Sequence, residues 1–353
     1  MCAVDPALQG AKSIIFVLTV DTEADNQWDH GIPLRTENVR YWEPFQRICR
    51  DHDVAPTYLV TSEIADDDLA QTLLRTWAGA GEAEIGAHLH PWTTPPFRED
   101  AGFRFNDPSH PFMSELPGDL VRAKLENLTA QISNNFGVRP TSFRAGRFGL
   151  DGISARVLSE LGYLVDSSVT PLTSWTAHRG LPEGSGGPDF SNHSARPFII
   201  EGTRDEEEGA NLGLLEIPVT IATTSALLRR FPALSGLHRT LPARAVRKIS
   251  HGRWLRPQPV WLQLAHFEHL QSDLRRAYEY QTESSDVAVM MLHSSELMPG
   301  GSPRTPTKSC AQAVLDRLER FLIFIRGTGA VGMRLSDAAA EIRSRHRLEV
   351  RAL

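Results

Sequence analysis

Six residues whose side chains could take part in catalysis lie at the ends of predicted β-strands. Carboxylates and imidazoles can accept or donate protons, and a guanidinium can hold an anion in place. In a barrel of parallel strands the carboxyl ends meet on one face, so residues distant in sequence can form one site. This arrangement predicts an enzyme. The strand-end residues are Asp21, His88, Arg144, Asp166, Glu216 and His293.

The segment VDTEAD places three carboxylates at alternate positions, Asp21, Glu23 and Asp25. In an extended segment, alternate side chains point to the same side. Like charges this close are costly unless a cation or a basic group offsets them. The segment therefore predicts a metal site or a catalytic base, and the alternative is a set of loop carboxylates that cap a helix.

A pair of histidines, His88 and His90, ends the segment EIGAHLH. The spacing directs both imidazoles to one side, as required to hold a divalent ion. Two imidazoles and one carboxylate, with water at the open positions, would make a hydrolytic centre. Zinc is the first choice for this ligand set, although other divalent metals are compatible with it.

Arg144 and His293 are polar residues in otherwise apolar strands. An arginine in such a strand is costly unless it meets a carboxylate, and Asp21 is the predicted partner. His293 follows VAVMML and could donate a proton to a leaving group. The alternatives are a purely structural ion pair for Arg144 and an ordinary core histidine for His293.

Four further residues near these motifs are predicted to contact the substrate. Asp166 and Glu216 could accept hydrogen bonds from Arg144, His293 or the substrate, or could satisfy loop amides instead. The predicted substrate-binding residues are Trp92, Arg147, Asp166 and Glu216.

Strand-like and helix-like segments alternate along the chain, which predicts an α/β fold with a parallel sheet and crossover helices. Seven or eight strands favour a closed barrel over an open sheet. The predicted strands cover 14–21, 55–61, 84–88, 141–146, 163–168, 214–220 and 287–293, with a last one starting at 331. The predicted helices cover 38–53, 67–81, 118–137, 152–162 and 310–329, and a final helix follows the last strand within 331–342.

The chain is predicted to form one domain, 1–353, with an inserted helical subregion at 221–285. Within it, residues 221–267 contain seven Arg and one Lys but no Asp or Glu. Such a segment is either a solvated basic surface or a contact for an anionic substrate carrier or a membrane surface, with Trp254 and Trp261 adding apolar contact.

Composition excludes several classes of protein. The 353 residues are 41% apolar, enough for a substantial core, and a formal charge of -6 argues against a general nucleic-acid-binding protein. Three cysteines at irregular spacing predict a reducing, cytoplasmic location. We expect a soluble protein, because no segment resembles a signal peptide or approaches the roughly 20 apolar residues of a membrane span. The sequence leaves the oligomeric state open.

Five motifs, in this order, resemble those of the polysaccharide deacetylase family, also called the NodB-homology or carbohydrate esterase family 4 group. They are VDTEAD, EIGAHLHPW, FRAGRFG, YLVDSSV and MMLHSSE, and the resemblance spans about 14–296. It implies a distorted (β/α)7–8 barrel that removes acetyl groups from N-acetylated sugars with a divalent metal. The segments TVDTEAD, GGPDF and HSSELMPG are also similar to deacetylase-like bacterial proteins associated with cell-wall or surface polysaccharide, which implies a role in the cell envelope.

The resemblance implies a role for each matching residue. Asp21 would be the base, Arg144 the residue that orients it, and His293 the acid. His88 and His90 would be the imidazole ligands of the metal, and Glu23 or Asp25 the carboxylate ligand.

The chain departs from the family pattern at the metal site. Thr22 stands where the family usually has a second aspartate, and the two histidines are two positions apart instead of four. After the third-motif arginine come Ala145 and Gly146 in place of the usual proline and aromatic residue. Two alternatives to a sugar deacetylase therefore stay open, a small-amide hydrolase on the same fold and an inactive glycan-binding pseudoenzyme.

Overall fold

The first strand, β1 (Ile15–Thr22), consists of eight consecutive buried residues. A run that is apolar on both faces is typical of a central parallel strand. The computed structural model describes residues 13–27, 29–181, 184–203, 213–223 and 259–353. In it, β1 pairs in parallel with β2 (Thr57–Val60) on one side and with β10 (Val287–His293) on the other.

Seven neighbouring strands run parallel, in the order β10-β1-β2-β3-β4-β5-β7. β6 continues this sheet antiparallel to β7, β12 pairs with β6, and β11 pairs with β1. β8 and β9 form a separate antiparallel pair. The strands not yet given are β3 (Glu84–Leu89), β4 (Ser142–Ala145), β5 (Val165–Asp166), β6 (Phe198–Ile200), β7 (Leu215–Glu216), β8 (Ile221–Ala222), β9 (Val260–Trp261), β11 (Val331–Gly332) and β12 (Val350–Arg351).

Hydrogen bonds beyond β7 bring the curled sheet back to β10. The Thr220 amide donates to the Val289 carbonyl at 3.1 Å, and the Val289 amide donates to the Thr220 hydroxyl at 2.9 Å. The Met291 amide donates to the Leu262 carbonyl at 3.1 Å. The predicted α/β fold, a distorted (β/α) barrel, is confirmed.

Eight α-helices cover or flank the sheet in the described residues. Side chains cap the N-termini of two of them: Asp67 accepts a hydrogen bond from the Ala70 amide, and Asp151 accepts one from the Ser154 amide. The helices are α1 (Trp42–Asp51), α2 (Ser62–Ala65), α3 (Asp68–Gly79), α4 (Gly118–Phe136), α5 (Gly152–Glu160), α6 (Gln271–Thr282), α7 (Lys308–Thr328) and α8 (Leu335–Arg345). None of them combines the length and apolar character required to cross a membrane.

The side chains of β1 alternate between two apolar clusters. Phe16, Leu18 and Val20 belong to the large cluster formed with the surrounding helices. Ile15 and Val17 belong to a second cluster, which also contains residues of β5, β7, β10 and α8. Strand alternation places Asp21 in the second set, at the end of the strand, so its carboxylate projects from the top of the barrel interior.

The single domain predicted over 1–353 stays a prediction. Residues 224–258, which make up most of the basic segment 221–267 and much of the predicted subregion 221–285, lie outside the described residues. The described parts of that subregion are the β8–β9 pair and α6.

Gly86 lies where β3 passes closest to its neighbours, and it offers a test of strand packing. A Cβ there would lie 2.7 Å from both Leu59 Cδ2 and the Ser142 carbonyl oxygen. We expect Gly86→Ala to lower the free energy of unfolding by about 1–3 kcal/mol, because the backbone of β4 cannot move away freely. Urea unfolding measures the change.

The matched control is Gly79→Ala in α3, where a Cβ meets no atom within 4 Å. This variant should be as stable as the wild type or more stable by up to about 1 kcal/mol. Equal stability of the two variants would contradict the close packing of β3 against β4.

Candidate active site

A cavity of about 400 Å³ opens at the carboxyl ends of the parallel strands. The register places Asp21 of β1 beside His293 of β10, and His88 of β3 beside Arg144 of β4. Two pairs of neighbouring strands, β1 with β10 and β3 with β4, therefore bring the predicted residues together, as expected for the carboxyl face of such a barrel. The volume lies within the roughly 300–1,000 Å³ that is common for small-molecule sites.

Two imidazoles and one carboxylate converge on the cavity floor. The Nε2 atoms of His88 and His90 lie 3.0 Å apart. Glu23 Oε2 lies 3.4 Å from Nε2 of His90 and 4.0 Å from Nε2 of His88. All three residues are buried, and their ligand atoms lie close enough together to hold one metal ion.

The partner of His88 Nδ1 fixes the proton position in this ring. Nδ1 lies 2.9 Å from the Arg144 carbonyl oxygen, which can only accept, so Nδ1 carries the proton. Burial lowers the pKa of His88, which keeps the ring neutral. Its Nε2 therefore presents a lone pair to the cavity.

Gln27 fixes the proton position of His90 in the same way. Gln27 Oε1 accepts from Trp92 Nε1 at 3.2 Å, and Gln27 Nε2 donates to the Glu63 carboxylate, which fixes the orientation of the amide. His90 Nδ1 lies 3.1 Å from that same Oε1 and must donate to it. Burial, together with the neighbouring His88, holds the pKa of His90 well below its usual value. Its Nε2 is also unprotonated.

Two lone pairs that face each other at 3.0 Å are unfavourable unless a cation lies between or beside them. Glu23 has the same requirement, because its buried Oε1 accepts no hydrogen bond from a described residue. Burial, with a smaller contribution from the Asp21 carboxylate, raises the pKa of Glu23 to about 8. Two neutral imidazoles and this carboxylate fit a divalent metal.

Asp25 does not join this cluster, which corrects the prediction that all three carboxylates face one space. It accepts hydrogen bonds from the Glu37 and Asn38 amides at 3.0 Å each, and from Asn38 Nδ2 at 2.6 Å. The strand ends at Thr22, so strict alternation does not continue to Asp25. It caps the short helix Glu37–Tyr41, and Glu23 is the carboxylate beside the histidines.

Asp21 and Arg144 form the predicted buried ion pair. Arg144 Nη1 donates to Asp21 Oδ1 at 2.5 Å, and its other nitrogens donate to the Ser167 carbonyl and hydroxyl. Burial opposes ionisation of Asp21, but Arg144, together with the imidazoles of His88 and His293, outweighs it and lowers the pKa of Asp21. The carboxylate is therefore ionised near neutral pH.

His293 lies beside Asp21 on the neighbouring strand, with its Nε2 3.9 Å from Asp21 Oδ2. Its Nδ1 lies 3.4 Å from Oε1 of the fully buried Glu296. Burial disfavours the imidazolium, but Glu23, Glu296 and Asp21 outweigh it and raise the pKa of His293 to about 9. Glu296 was not predicted from the sequence; its Oε2 accepts a hydrogen bond from the His293 amide at 3.0 Å, from within the short helix Ser294–Leu297.

Asp166 and Glu216 lie below the cavity and do not line it. Both are 0% exposed, and they are neighbours in the register of β5 and β7. Asp166 accepts from the Ser168 amide and hydroxyl, and Glu216 accepts from the Val169 amide. Their positions correct the predicted contact with substrate, and the alternative that they satisfy loop amides is what the structure shows.

Aromatic side chains form a wall of the cavity. Phe148 and Trp175 stack with ring centroids 5.5 Å apart, and Trp261 lies 5.7 Å from Phe148. Trp92, a predicted substrate contact, also lines the cavity and stacks on His90 at 4.4 Å. The sequence offered no signal for Trp175, which lies in a long irregular loop, whereas Trp261 was predicted to serve a different surface.

No family model and no curated protein matches the chain. Solved structures do resemble it. A Mycobacterium smegmatis protein provisionally assigned as a polysaccharide deacetylase aligns over 100% of this chain and 98% of its own, with 14% identity and a TM-score of 0.53. The 4-alpha-glucanotransferase of Thermococcus litoralis aligns over 94% of this chain and 41% of its own, with 11% identity and a TM-score of 0.51.

A Pseudomonas aeruginosa protein, also provisionally assigned as a polysaccharide deacetylase, covers 95% of this chain and 93% of its own, with 14% identity and a TM-score of 0.47. The chain has the polysaccharide deacetylase fold. At these identities the likeness establishes the fold alone, and the glucanotransferase shows that this fold carries more than one reaction. The chemistry of the site must therefore support any function.

Zinc affinity tests the proposed ligands directly. We expect His88→Ala and Glu23→Gln each to weaken zinc binding by more than about 100-fold, because each removes a ligand atom. Loss of a group that only hydrogen bonds to a ligand typically weakens binding by about 10- to 100-fold. Titration of metal-stripped protein against a chromogenic chelator gives the affinity. Asp25→Asn is the control and should bind zinc as the wild type does, whereas equal affinity in all three variants would overturn the ligand assignment.

The Gln27 amide provides a second test. Gln27→Leu leaves every ligand atom in place but removes the acceptor that holds the proton on His90 Nδ1. Zinc affinity should fall by about 10- to 100-fold. Gln312→Leu, on the exposed face of α7, should leave it unchanged. Unaltered affinity in the Gln27 variant would show that the ring does not depend on this hydrogen bond.

Proposed function

We propose that the protein is a metal-dependent hydrolase that removes the N-acetyl group from a carbohydrate or glycan precursor. One observation carries the proposal. Two unprotonated imidazole nitrogens 3.0 Å apart, with Glu23 beside them, lie in the same cavity as an ionised Asp21 held by Arg144. These are the parts required to hydrolyse an amide with a bound metal and a general base.

His88, His90 and Glu23 would hold the divalent ion, with zinc the first choice for two imidazoles and a carboxylate. When bound there, such an ion polarises a carbonyl group and lowers the pKa of a water molecule. Three protein ligands leave an open coordination position, as catalytic sites require.

Asp21 would accept the proton of the attacking water. Arg144 binds Oδ1, which leaves Oδ2 towards His293 and the cavity. The lowered pKa keeps the carboxylate ionised, and the guanidinium fixes its direction. Arg144 is therefore a positioning residue, because it touches the base and not the substrate.

His293 would donate a proton to the departing amine as the carbon–nitrogen bond breaks. Asp21, 3.9 Å from Nε2, and Glu296, 3.4 Å from Nδ1, favour the charged form of the imidazole, and Glu296 holds the ring through Nδ1. Water supplies the hydroxyl group of the acetate, and the amine leaves with the proton from His293. The products are acetate and a free amino sugar.

The carbohydrate substrate rests on the resemblance of the motifs and is consistent with the aromatic wall of the cavity. The same centre could act on another small amide, which was the alternative left open by the sequence. The altered histidine spacing, which favoured an inactive protein, does not prevent the two Nε2 atoms from converging.

Substitution of Asp21 tests its role as the base separately from metal binding. Asp21→Asn should lower kcat for acetate release by about 10²–10⁴-fold, since it removes a general base. Zinc content, measured by elemental analysis, should stay at the wild-type level. The control Asp25→Asn should keep both activity and metal, and an active Asp21→Asn enzyme would exclude this residue as the base.

A panel of acetylated compounds decides between the substrate classes. Acetate release is measured from free, nucleotide-linked and lipid-linked N-acetylated sugars, and from simple acetamides of similar size. We expect release from at least one sugar when zinc is present. Release from the simple amides alone would favour the small-amide hydrolase, and no release with full zinc content would favour the pseudoenzyme.

A further inference from the structure

Arg147 is a half-buried cation in the wall of the cavity with no direct anionic partner. It follows Gly146 at the end of β4 and lines the same space as the proposed metal ligands. Its guanidinium lies over the ring of Phe112, 5.3 Å from the ring centroid. Within the described ranges it makes no hydrogen bond and no ion pair, whereas Arg144 and Arg304 both face carboxylates.

Glu115 attracts Arg147 electrostatically, but its oxygens are used elsewhere. Oε2 accepts from the Phe112 amide at 3.1 Å. Oε1 accepts from the amides of Ser185 and Gly186 at 2.6 and 3.1 Å. Glu115 therefore orders the surrounding loops and leaves the donors of Arg147 without a contacting acceptor in the described chain.

The backbone at Arg147 and at the next residue is in a strained conformation. Arg147 and Phe148 both have left-handed conformations, with φ of 52° and 61°. Such strain in two consecutive non-glycine residues persists only when the surroundings impose it, and it is concentrated at functional sites. A Cβ on Gly146 would lie 2.4 Å from His90 Cδ2, so the loop is packed directly against a proposed metal ligand.

The charges around the cavity favour an anionic occupant. Among its described lining residues, Asp21 and Glu23 are the carboxylates, and a divalent metal would offset both. Arg147 then adds a positive charge that no described carboxylate contacts, whereas the charge of Arg304 is partly offset by Glu268, 3.7 Å away. A cavity with aromatic walls and excess positive charge raises the local concentration of anions.

We propose that Arg147 binds an anionic group of the substrate, a carboxylate or a phosphate, so that the substrate is an acidic N-acetylated sugar. That the substrate is N-acetylated rests on the proposed function, whereas the anion subsite at Arg147 does not. An arginine matches either group, because its planar fork donates two parallel hydrogen bonds to a pair of oxygens. Its place beside Gly146 puts the subsite in the same cavity as the hydrolytic centre.

Calorimetric binding to the full-length protein tests the subsite. The probes are N-acetylglucosamine, which is neutral, N-acetylglucosamine 1-phosphate and N-acetylmuramic acid, which carries a carboxylate. We expect at least one acidic sugar to bind at least about tenfold more tightly than the neutral one, the size of one charged hydrogen bond. The acidic sugar that binds more tightly identifies the anion as phosphate or carboxylate.

Arg147→Gln should remove this preference, and Arg147→Lys should restore part of it, which separates loss of charge from loss of folding. Arg304→Gln is the matched comparison in the same cavity. Because Arg304 is 43% exposed and lies 3.7 Å from Glu268, its exchange should change the preference by less than about threefold. The exposed Arg40→Gln should have no effect.

Measurement with zinc-loaded and zinc-stripped protein separates the subsite from the proposed function. A preference that persists without zinc and disappears in Arg147→Gln supports the subsite even where no acetate is released. Two results would overturn it: no preference for either acidic sugar in the wild type, or an undiminished preference in Arg147→Gln. Acetate release with equal kcat/KM from neutral and acidic sugars would also overturn it while leaving the hydrolase in place.

Discussion

The buried ion pair between Asp21 and Arg144 is the interaction on which the rest of the site depends. It links β1 to β4, two strands that do not pair, through the top of the barrel interior. Loss of one partner of a buried pair typically costs about 3–5 kcal/mol, because the other charge stays buried alone. The same arginine fixes the proton position of His88 through its carbonyl oxygen. One residue thus couples the positions of two strands, the ionisation of Asp21 and the lone pair of His88.

The position of a site residue could be predicted from the sequence where a local pattern determined it. The apolar strands around Asp21, Arg144 and His293 predicted both the shared face and the buried ion pair, since a charge in such a strand requires a partner. The prediction that Asp25 faces the same side as Asp21 and Glu23 was wrong, because side chains alternate only while the chain stays extended. The contacts among Gln27, Glu63 and His90 could not be read from the sequence, because they join residues from separate segments and depend on distances that spacing does not encode.

The short spacing of the two histidines is compatible with a metal site for a reason that the fold supplies. His88 lies inside β3 and His90 directly after it, and extended backbone sends alternate side chains to the same side. Different hydrogen-bond acceptors then hold the two rings, the Arg144 carbonyl for one and Gln27 for the other. A departure from the family motif therefore does not by itself prevent metal binding, because the geometry of the imidazoles and their hydrogen-bond partners decide whether the two rings can converge on an ion.

The carboxyl pair beneath the site explains how Arg144 can pair mainly with one carboxylate, that of Asp21. Asp166 and Glu216 both attract Arg144, and two ionised carboxylates there would compete with Asp21 for it. Burial, followed by the mutual interaction of the two groups, raises the pKa of Glu216 well above its usual value, and burial raises that of Asp166. Two carboxyl groups with raised pKa values carry less negative charge than two fully ionised carboxylates. Most of the attraction of Arg144 is then directed to Asp21, whose carboxylate stays ionised because its partner is not divided among three anions.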